Sequence, residues 1–221
     1  YINSVAGNSP GTTYVINFGD GNSITLNHPP PASVNHTYTT STCGLPGGQL
    51  NVTFTAQNPC DQTQGQIGPI RVSETPVAQM TVSPNDTTCV NSTVTFTDLS
   101  VGLQAPGCNT PPRNTWSITP AGGWTIASGT LGNVNGNPTN PALWTDGSAS
   151  LGVQFNQAGT YTIDLLTGNA CGTHTLSRTV CVEEPPAPSF TLPTPGCAPY
   201  QPVNTNTSTF GQNCLLTNLW T

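Results

Sequence analysis

The stretch of the chain that decides the fold is residues 153–182, VQFNQAGTYTIDLLTGNACGTHTLSRTVCV. In its first half Tyr161, Ile163 and Leu165 alternate with polar residues, the period-two pattern of a strand with one buried face. Glycine and asparagine then supply a turn at 168–172, and the alternation resumes beyond it. These residues predict the last hairpin of a β-sandwich.

Weaker copies of this pattern occur elsewhere in the chain. LNVTFTAQNPC at 50–60 repeats the first strand of the hairpin and its turn cysteine, which stands in NAC at 169–171. CVNSTVTFTDLS, which begins at Cys89, matches CAPYQPVNTNTS, which begins at Cys197. Such self-similarity is the signature of a tandem array. We predict repeats at 1–75, 76–184 and 185–221.

The three predicted repeats differ in completeness. The first is expected to lack its two opening strands, which would precede Tyr1, and the third stops at Thr221 after its own opening strands. SETP at 73–76 and EEPPAP at 183–188 separate them, and the prolines of the second linker favour an extended spacer. The predicted fold class is therefore all-β, with one complete and two partial sandwiches.

The charge composition argues against two classes of partner. The 221 residues carry a formal net charge of −6, only 5% are charged, and the cations are three arginines with no lysine. Such a chain cannot neutralise a row of phosphates or an anionic membrane surface. No apolar run approaches membrane-spanning length. We expect neither a nucleic-acid partner nor membrane insertion.

Cysteine is the natural cross-linking residue of this chain. Its eight cysteines show no CxxC pair and no Cys/His cluster at metal spacing, which favours disulfides over zinc ligands or free thiols. Without lysine, a Lys–Asn isopeptide cross-link cannot form within the chain. Disulfides persist in oxidising compartments, so a secreted or outer-surface location is expected.

Two sets of motifs resemble the polycystic-kidney-disease (PKD) domain, an immunoglobulin-like β-sandwich. NFGDG at 17–21 and HTY at 36–38 are similar to its WDFGDG and HxY signatures, and AGTYTI at 158–163 is similar to its GxYxV strand. The second repeat departs from the signature, with WSITP at 116–120 and no GDG. The Thr/Asn-rich, cysteine-bearing form resembles repeats in very large surface proteins of gliding Bacteroidota. That resemblance implies a mobile gliding-motility adhesin exported by the type IX route.

The immunoglobulin-like topology implied by this resemblance assigns each cysteine to an end of the sandwich, because successive strands run up and down. Cys89 and Cys181 would lie at one end, and Cys108 and Cys171 at the other. A Cys171–Cys181 bond would have to span about ten strand residues, roughly 33 Å, whereas bonded Cα atoms lie within about 7 Å. The expected disulfides are Cys89–Cys181 and Cys108–Cys171. The remaining cysteines, expected to pair outside residues 1–221, are Cys43, Cys60, Cys197 and Cys214.

The sequence offers no catalytic constellation. His28, His36 and His174 are the only histidines, no nucleophile motif accompanies them, and no two carboxylates are placed as an acid–base pair. His36 and Tyr38 are interpreted as a packing pair at a strand end. Asp20, in its glycine-rich turn, is either a turn cap or a weak calcium ligand. We expect no enzyme activity and no cofactor.

Two surface features have alternative interpretations. Trp124 and Trp144 lie in the long Gly/Asn-rich insertion 120–150, where they either pack it onto the sandwich or form an exposed platform for sugar rings. Asp86-Thr87-Thr88 resembles a Bacteroidota O-glycosylation site with Thr87 as acceptor, although a three-residue motif also arises by chance.

The sequence as a whole favours a non-enzymatic structural stalk of a cell-surface adhesin. Its partners would be neighbouring repeats of the same protein and a surface polysaccharide. The alternatives are a carbohydrate-binding module that uses Trp124 and Trp144, and an accessory domain of a secreted hydrolase.

Overall fold

The computed structural model describes residues 7–191, 194–209 and 214. Contacts divide the chain into two compact units. Unit 1 consists of Tyr1–Pro76, Gly102–Pro112 and Asn169–Cys171. Unit 2 consists of Val77–Val101, Arg113–Gly168 and Gly172–Thr221. The repeat boundaries predicted from the sequence remain a prediction.

Unit 1 contains one four-stranded antiparallel sheet in the order β2-β1-β3-β4. Alternation in β1 buries Tyr14 and Ile16 on one face, as a period-two pattern requires. Two 3-10 helices, Thr42–Gly44 and Pro46–Gly48, precede β3. The strands are β1 (Thr13–Asn17), β2 (Ser23–Asn27), β3 (Leu50–Gln57) and β4 (Gln62–Ile70).

Residues 33–38 alternate apolar or aromatic side chains with polar ones, but they form no strand. The described residues pair no strand with this segment. A β-strand requires backbone hydrogen bonds to a neighbouring strand, so an alternating sequence alone does not produce one. The segment nevertheless lies against the sheet, since Val34 and Tyr38 pack on the cluster of Ile16, Phe18 and Val52.

Unit 2 is a two-sheet sandwich that confirms the all-β prediction. One sheet has the order β5-β7-β10-β9 and the other β6-β12-β11-β8, with β6 parallel to β12. Neighbours that are not consecutive in the chain give the crossed connections of an immunoglobulin-like sandwich. The strands are β5 (Met80–Ser83), β6 (Thr87–Cys89), β7 (Thr93–Asp98), β8 (Arg113–Thr119), β9 (Trp124–Ser128), β10 (Ser150–Phe155), β11 (Gly159–Asn169) and β12 (Gly172–Glu183).

The core of unit 2 comes from inward-facing residues of both sheets. Val94 and Phe96 of β7 are fully buried against Ile163 and Leu165 of β11 in one cluster. Trp116 on β8 is also buried, and its Nε1 donates to the Ser148 carbonyl at 2.9 Å. The hairpin predicted from the sequence is formed by β11 and β12.

The segment after β12 forms a small two-stranded sheet within unit 2. Its strands are β13 (Phe190–Thr191) and β14 (Thr205–Asn206), joined in antiparallel register. An isolated bridge between Ala187 and Thr209 continues the pairing. The third, partial repeat expected to begin at 185 stays a prediction.

The disulfides differ from those expected. Cys43 is bonded to Cys108, with Cα atoms 5.1 Å apart, and Cys181 to Cys214, with Cα atoms 5.7 Å apart. The expected Cys89–Cys181 and Cys108–Cys171 bonds are therefore wrong, as is the expectation that Cys43 and Cys214 pair outside the chain. Free thiols remain at Cys60, Cys89, Cys171 and Cys197.

The expected disulfides were wrong because they paired each cysteine only with cysteines of the same repeat. Cys89 and Cys181 do lie on adjacent strands, since Cys181 pairs with Thr87 in the parallel β6–β12 ladder. Cys214, however, comes within disulfide distance of Cys181 from beyond the linker. Likewise the loop Gly102–Pro112 belongs to unit 1, which brings Cys108 to Cys43. Each bond thus joins residues of two successive predicted repeats.

Candidate functional site

The tryptophan pair of the insertion does not form a platform. Trp144 is only 3% exposed, and its Nε1 donates to the Asn137 carbonyl at 2.7 Å. Trp124, on β9, is partly buried against the sandwich core, and its Nε1 donates to the Pro120 carbonyl at 2.8 Å. Of the two interpretations of the pair, packing of the insertion onto the sandwich is therefore the one seen at Trp144, because a sugar ring cannot reach the face of a buried indole.

An acid–histidine pair links the glycine-rich turn of unit 1 to the segment 33–38. His36 Nε2 lies 2.7 Å from Asp20 Oδ2, and the His36 ring stacks on Phe18 with centroids 3.9 Å apart. Tyr38 meets the His36 ring edge-on at 4.8 Å and donates its hydroxyl to the Phe18 carbonyl. The packing role predicted for His36 and Tyr38 is thus seen directly.

The Asp20 carboxylate is held in its charged form. The hydrogen bond from His36, aided by the Asn22 backbone amide, lowers the pKa of Asp20 to about 2. Burial, with a contribution from the Asp20 charge, raises the pKa of Tyr38. Both carboxylate oxygens of Asp20 are already occupied, and the described residues contain no group of three His, Cys, Asp or Glu that could hold a metal. Calcium requires six or more oxygen ligands, and its binding at Asp20 stays a prediction.

The other two histidines also have structural partners. His28 Nδ1 lies 2.9 Å from the Tyr14 hydroxyl, and His174 Nδ1 accepts a hydrogen bond from the Ala78 backbone amide. Among the described residues no histidine is hydrogen-bonded to a serine, threonine or cysteine side chain. The histidines lack the nucleophile contact that triad chemistry requires.

Thr87 is exposed at the start of β6, an edge strand of its sheet. The preceding residue, Asp86, accepts a hydrogen bond from the Cys181 amide through its carbonyl. The structure thus leaves the hydroxyl accessible, and glycosylation of Thr87 stays a prediction.

An apolar cavity of about 440 Å³ lies on the face of the sheet in unit 1. The cavity was not predicted from the sequence, although the alternating apolar residues of β1 and β3 are its signal there. Ile67 lies at the cavity and is 47% exposed, and even Ile16 and Val52 are less completely buried than the core of unit 2. The lining side chains include Ile16, Phe18, Val34, Val52, Phe54 and Ile67.

Comparisons with known proteins add no functional assignment. The sequence matches no protein-family model and no curated protein. Among solved structures it is similar to the titin I-band fragment I67–I69, at 13% identity and a TM-score of 0.40 over 80% of this chain and 58% of that one. Domains 3–5 of Drosophila OTK give 15% identity and a TM-score of 0.39, covering 79% and 52%.

A third similar structure is the eight N-terminal immunoglobulin domains of the Down syndrome cell adhesion molecule. It shows 13% identity and a TM-score of 0.41 over 90% of this chain and 24% of that chain. This chain therefore spans little more than half of the first two structures and a quarter of the third. Within the described ranges, no helix is long and apolar enough to cross a membrane.

Proposed function

We propose that this chain is a load-bearing stalk segment of a secreted or outer-surface adhesin and carries no enzymatic activity. The observation that carries the proposal is the placement of the two disulfides, Cys43–Cys108 and Cys181–Cys214. Each closes a long stretch of chain and limits how far it lengthens once packing yields. A gliding-motility adhesin with PKD-type repeats is the specific form of this proposal that the sequence motifs favour.

The two bonds have a calculable mechanical effect. The bonded cysteines are 65 and 33 positions apart in the chain. An extended chain spans at most about 3.5 Å per residue, so the bonds withhold roughly 230 Å and roughly 115 Å of extension. The contour length of the fully unfolded chain is thus shorter in the oxidised protein than in the reduced protein.

Single-molecule force spectroscopy of the whole chain tests this role. The oxidised protein is pulled from its two ends, then pulled again after reduction, and the total contour length is compared. We expect reduction to add roughly 340 Å of extension. The double variant Cys43→Ser/Cys181→Ser is the control and should show the longer extension without reductant. Equal lengths before and after reduction would contradict a load-limiting role.

The glycan-binding alternative is weakened by the burial of Trp144. A glycan array probed with the oxidised protein separates the two functions, since the stalk proposal predicts no saturable binding. A Trp124→Ala variant that abolished such binding would favour the carbohydrate module instead. No specific observation favours the accessory-domain alternative.

A further inference from the structure

Two polar side chains face each other at one end of the core of unit 2. Thr167 of β11 is fully buried, and Asn114 of β8 is 6% exposed. The two residues are direct partners in the antiparallel β8–β11 ladder, one step along from the core pair Trp116 and Leu165. The Cβ atoms of directly opposite residues lie about 4.5–5.5 Å apart on one face of a sheet. The Thr167 hydroxyl and the Asn114 amide are therefore buried neighbours.

A carboxylate from the opposite sheet contacts this pair. Asp98 is the last residue of β7, and its Oδ2 accepts a hydrogen bond from Asn114 Nδ2 at 2.8 Å. The same nitrogen also donates to the Ser148 carbonyl at 3.4 Å. These two acceptors hold the Asn114 amide with its nitrogen beside a group that can carry a proton.

The Thr167 hydroxyl lies against the backbone of β8 next to this amide. Its Oγ1 donates to the Arg113 carbonyl at 3.2 Å, and that carbonyl belongs to the peptide bond that leads into Asn114. A hydroxyl group is a weak nucleophile until an adjacent base takes its proton. Asp98 supplies such a base to this cluster.

We propose that Thr167 and Asn114 become joined by an internal ester bond that links β11 to β8. Thr167 Oγ1 attacks Asn114 Cγ and forms the new C–O bond, while the Cγ–Nδ2 bond breaks and Nδ2 leaves as ammonia. Asp98 takes the hydroxyl proton and passes it to the departing nitrogen across their existing contact, so that it ends unchanged. A hydroxyl thus provides the cross-link that an amine cannot, since the chain has no lysine.

Burial favours both the formation and the survival of this bond. Groups held side by side react as if they were highly concentrated, with effective molarities of about 10⁵–10⁸ M in well-oriented intramolecular reactions. The fully buried site also excludes water, which would otherwise hydrolyse the ester. An unfolded chain offers neither condition, so the bond should form only after unit 2 has folded.

Mass spectrometry tests the cross-link. The oxidised protein is incubated in its folded state and then reduced and weighed, and we expect the mass to fall below the sequence mass by one ammonia molecule. Chain kept in denaturant throughout should retain the full mass. Chymotryptic digestion should yield a branched peptide in which the segment with Asn114 is attached to the segment with Thr167. Mild base, which hydrolyses esters but leaves peptide bonds intact, should separate the two.

Substitutions identify the groups that react. Thr167→Val removes the hydroxyl at nearly constant shape and should abolish the loss of ammonia, whereas Thr167→Ser should retain it. Asp98→Asn should slow the loss by about a hundredfold or more, because it removes the proton carrier. Thr115→Val is the matched control, since Thr115 is the buried neighbour of Asn114 on the other face of β8. It should lose ammonia as the wild type does, and circular dichroism should show that each variant is folded.

The wild-type protein alone can refute the bond, even if a variant fails to fold. A folded wild type that keeps the full sequence mass would overturn the proposal. So would the loss of ammonia from folded Thr167→Val. Ammonia loss without a branched peptide would also overturn it, because an asparagine that precedes glycine, such as Asn135, can lose ammonia to its own backbone instead.

Discussion

The His36 Nε2 atom lies 2.7 Å from Asp20 Oδ2 and joins the glycine-rich turn after β1 to the segment that precedes β3. The pair closes one end of the apolar face, with Phe18 stacked on the imidazole. Because the pKa of Asp20 falls to about 2, the folded state favours the charged carboxylate.

The first prediction concerns acid stability. The carboxyl group of an unfolded aspartate has a pKa of about 3.9. The stabilisation from Asp20 is therefore fully present above about pH 4 and is lost as the pH falls to about 2. Asp20→Asn should therefore lower the free energy of unfolding at pH 6 but not at pH 2. Urea denaturation across this range measures it, with Glu184→Gln, at an exposed linker carboxylate, as the control. If the free energy of unfolding fell by the same amount between pH 6 and pH 2 in the wild type and in Asp20→Asn, the role assigned to Asp20 would be contradicted.

The second prediction concerns the Cys43–Cys108 bond. Closing a 65-residue loop stabilises the folded state by about 4 kcal/mol in the chain-entropy model. Cys108→Ser should therefore lower the free energy of unfolding by about 2–4 kcal/mol, whereas Cys171→Ser, at an exposed free thiol, should change it by less than about 0.5 kcal/mol. Urea denaturation without reductant measures both. Peptide mapping that found Cys108 bonded to Cys171 would refute the assignment.

The third prediction tests how the insertion 120–150 packs on unit 2. A Cβ at Gly147 would lie 2.8 Å from the Leu131 carbonyl oxygen and 2.8 Å from Trp116 Cδ1. Gly147→Ala should therefore cost about 1–3 kcal/mol through overpacking. Gly122→Ala is the matched control, since nothing lies within 4 Å of its Cβ position. Equal thermal stability of the two variants would show that the insertion is not packed this closely.

The fourth prediction compares two turn asparagines in equivalent motifs of unit 1. Asn58 and Asn169 each accept a hydrogen bond from the amide of the cysteine two positions later. Only Asn169 is buried, and its Nδ2 also donates to the carbonyls of Glu74 and Gly102. Asn169→Ala should therefore cost about 2–4 kcal/mol, because it leaves two buried carbonyls unpaired.

Asn58→Ala serves as the matched comparison for that variant. It removes only the turn hydrogen bonds from the amides of Cys60 and Asp61 and should cost about 1 kcal/mol or less. Chemical denaturation of the two variants under the same oxidising conditions provides the measurement. An Asn58→Ala variant as unstable as Asn169→Ala would show that the turn contact, rather than the buried donors, accounts for the effect.

The features predicted correctly from the sequence are those with local causes. The alternation around Tyr161 and Ile163 depends only on neighbouring residues, so β11 and β12 could be identified without the fold. The turn at Asp20 follows from glycine and aspartate chemistry, and its aspartate caps the Asn22 amide.

The incorrect predictions involve contacts that no local pattern encodes. Cys43 and Cys108 are 65 positions apart, and no sequence pattern measures the distance between them because none shows which loop folds into unit 1. The sequence also left open whether Trp144 is exposed, since it lies in a polar, glycine-rich stretch, and it is buried because the insertion folds back over Gly168.

The sequence by itself determined the all-β class, the repeat pattern, the last hairpin and the uncharged, cysteine-rich chemistry, since each follows from residue type and spacing over a few positions. Only the tertiary structure decided which cysteines bond, whether the tryptophans are accessible, and that an apolar cavity lies on the sheet of unit 1. Those properties depend on distances and burial between remote segments, which arise only when the chain packs.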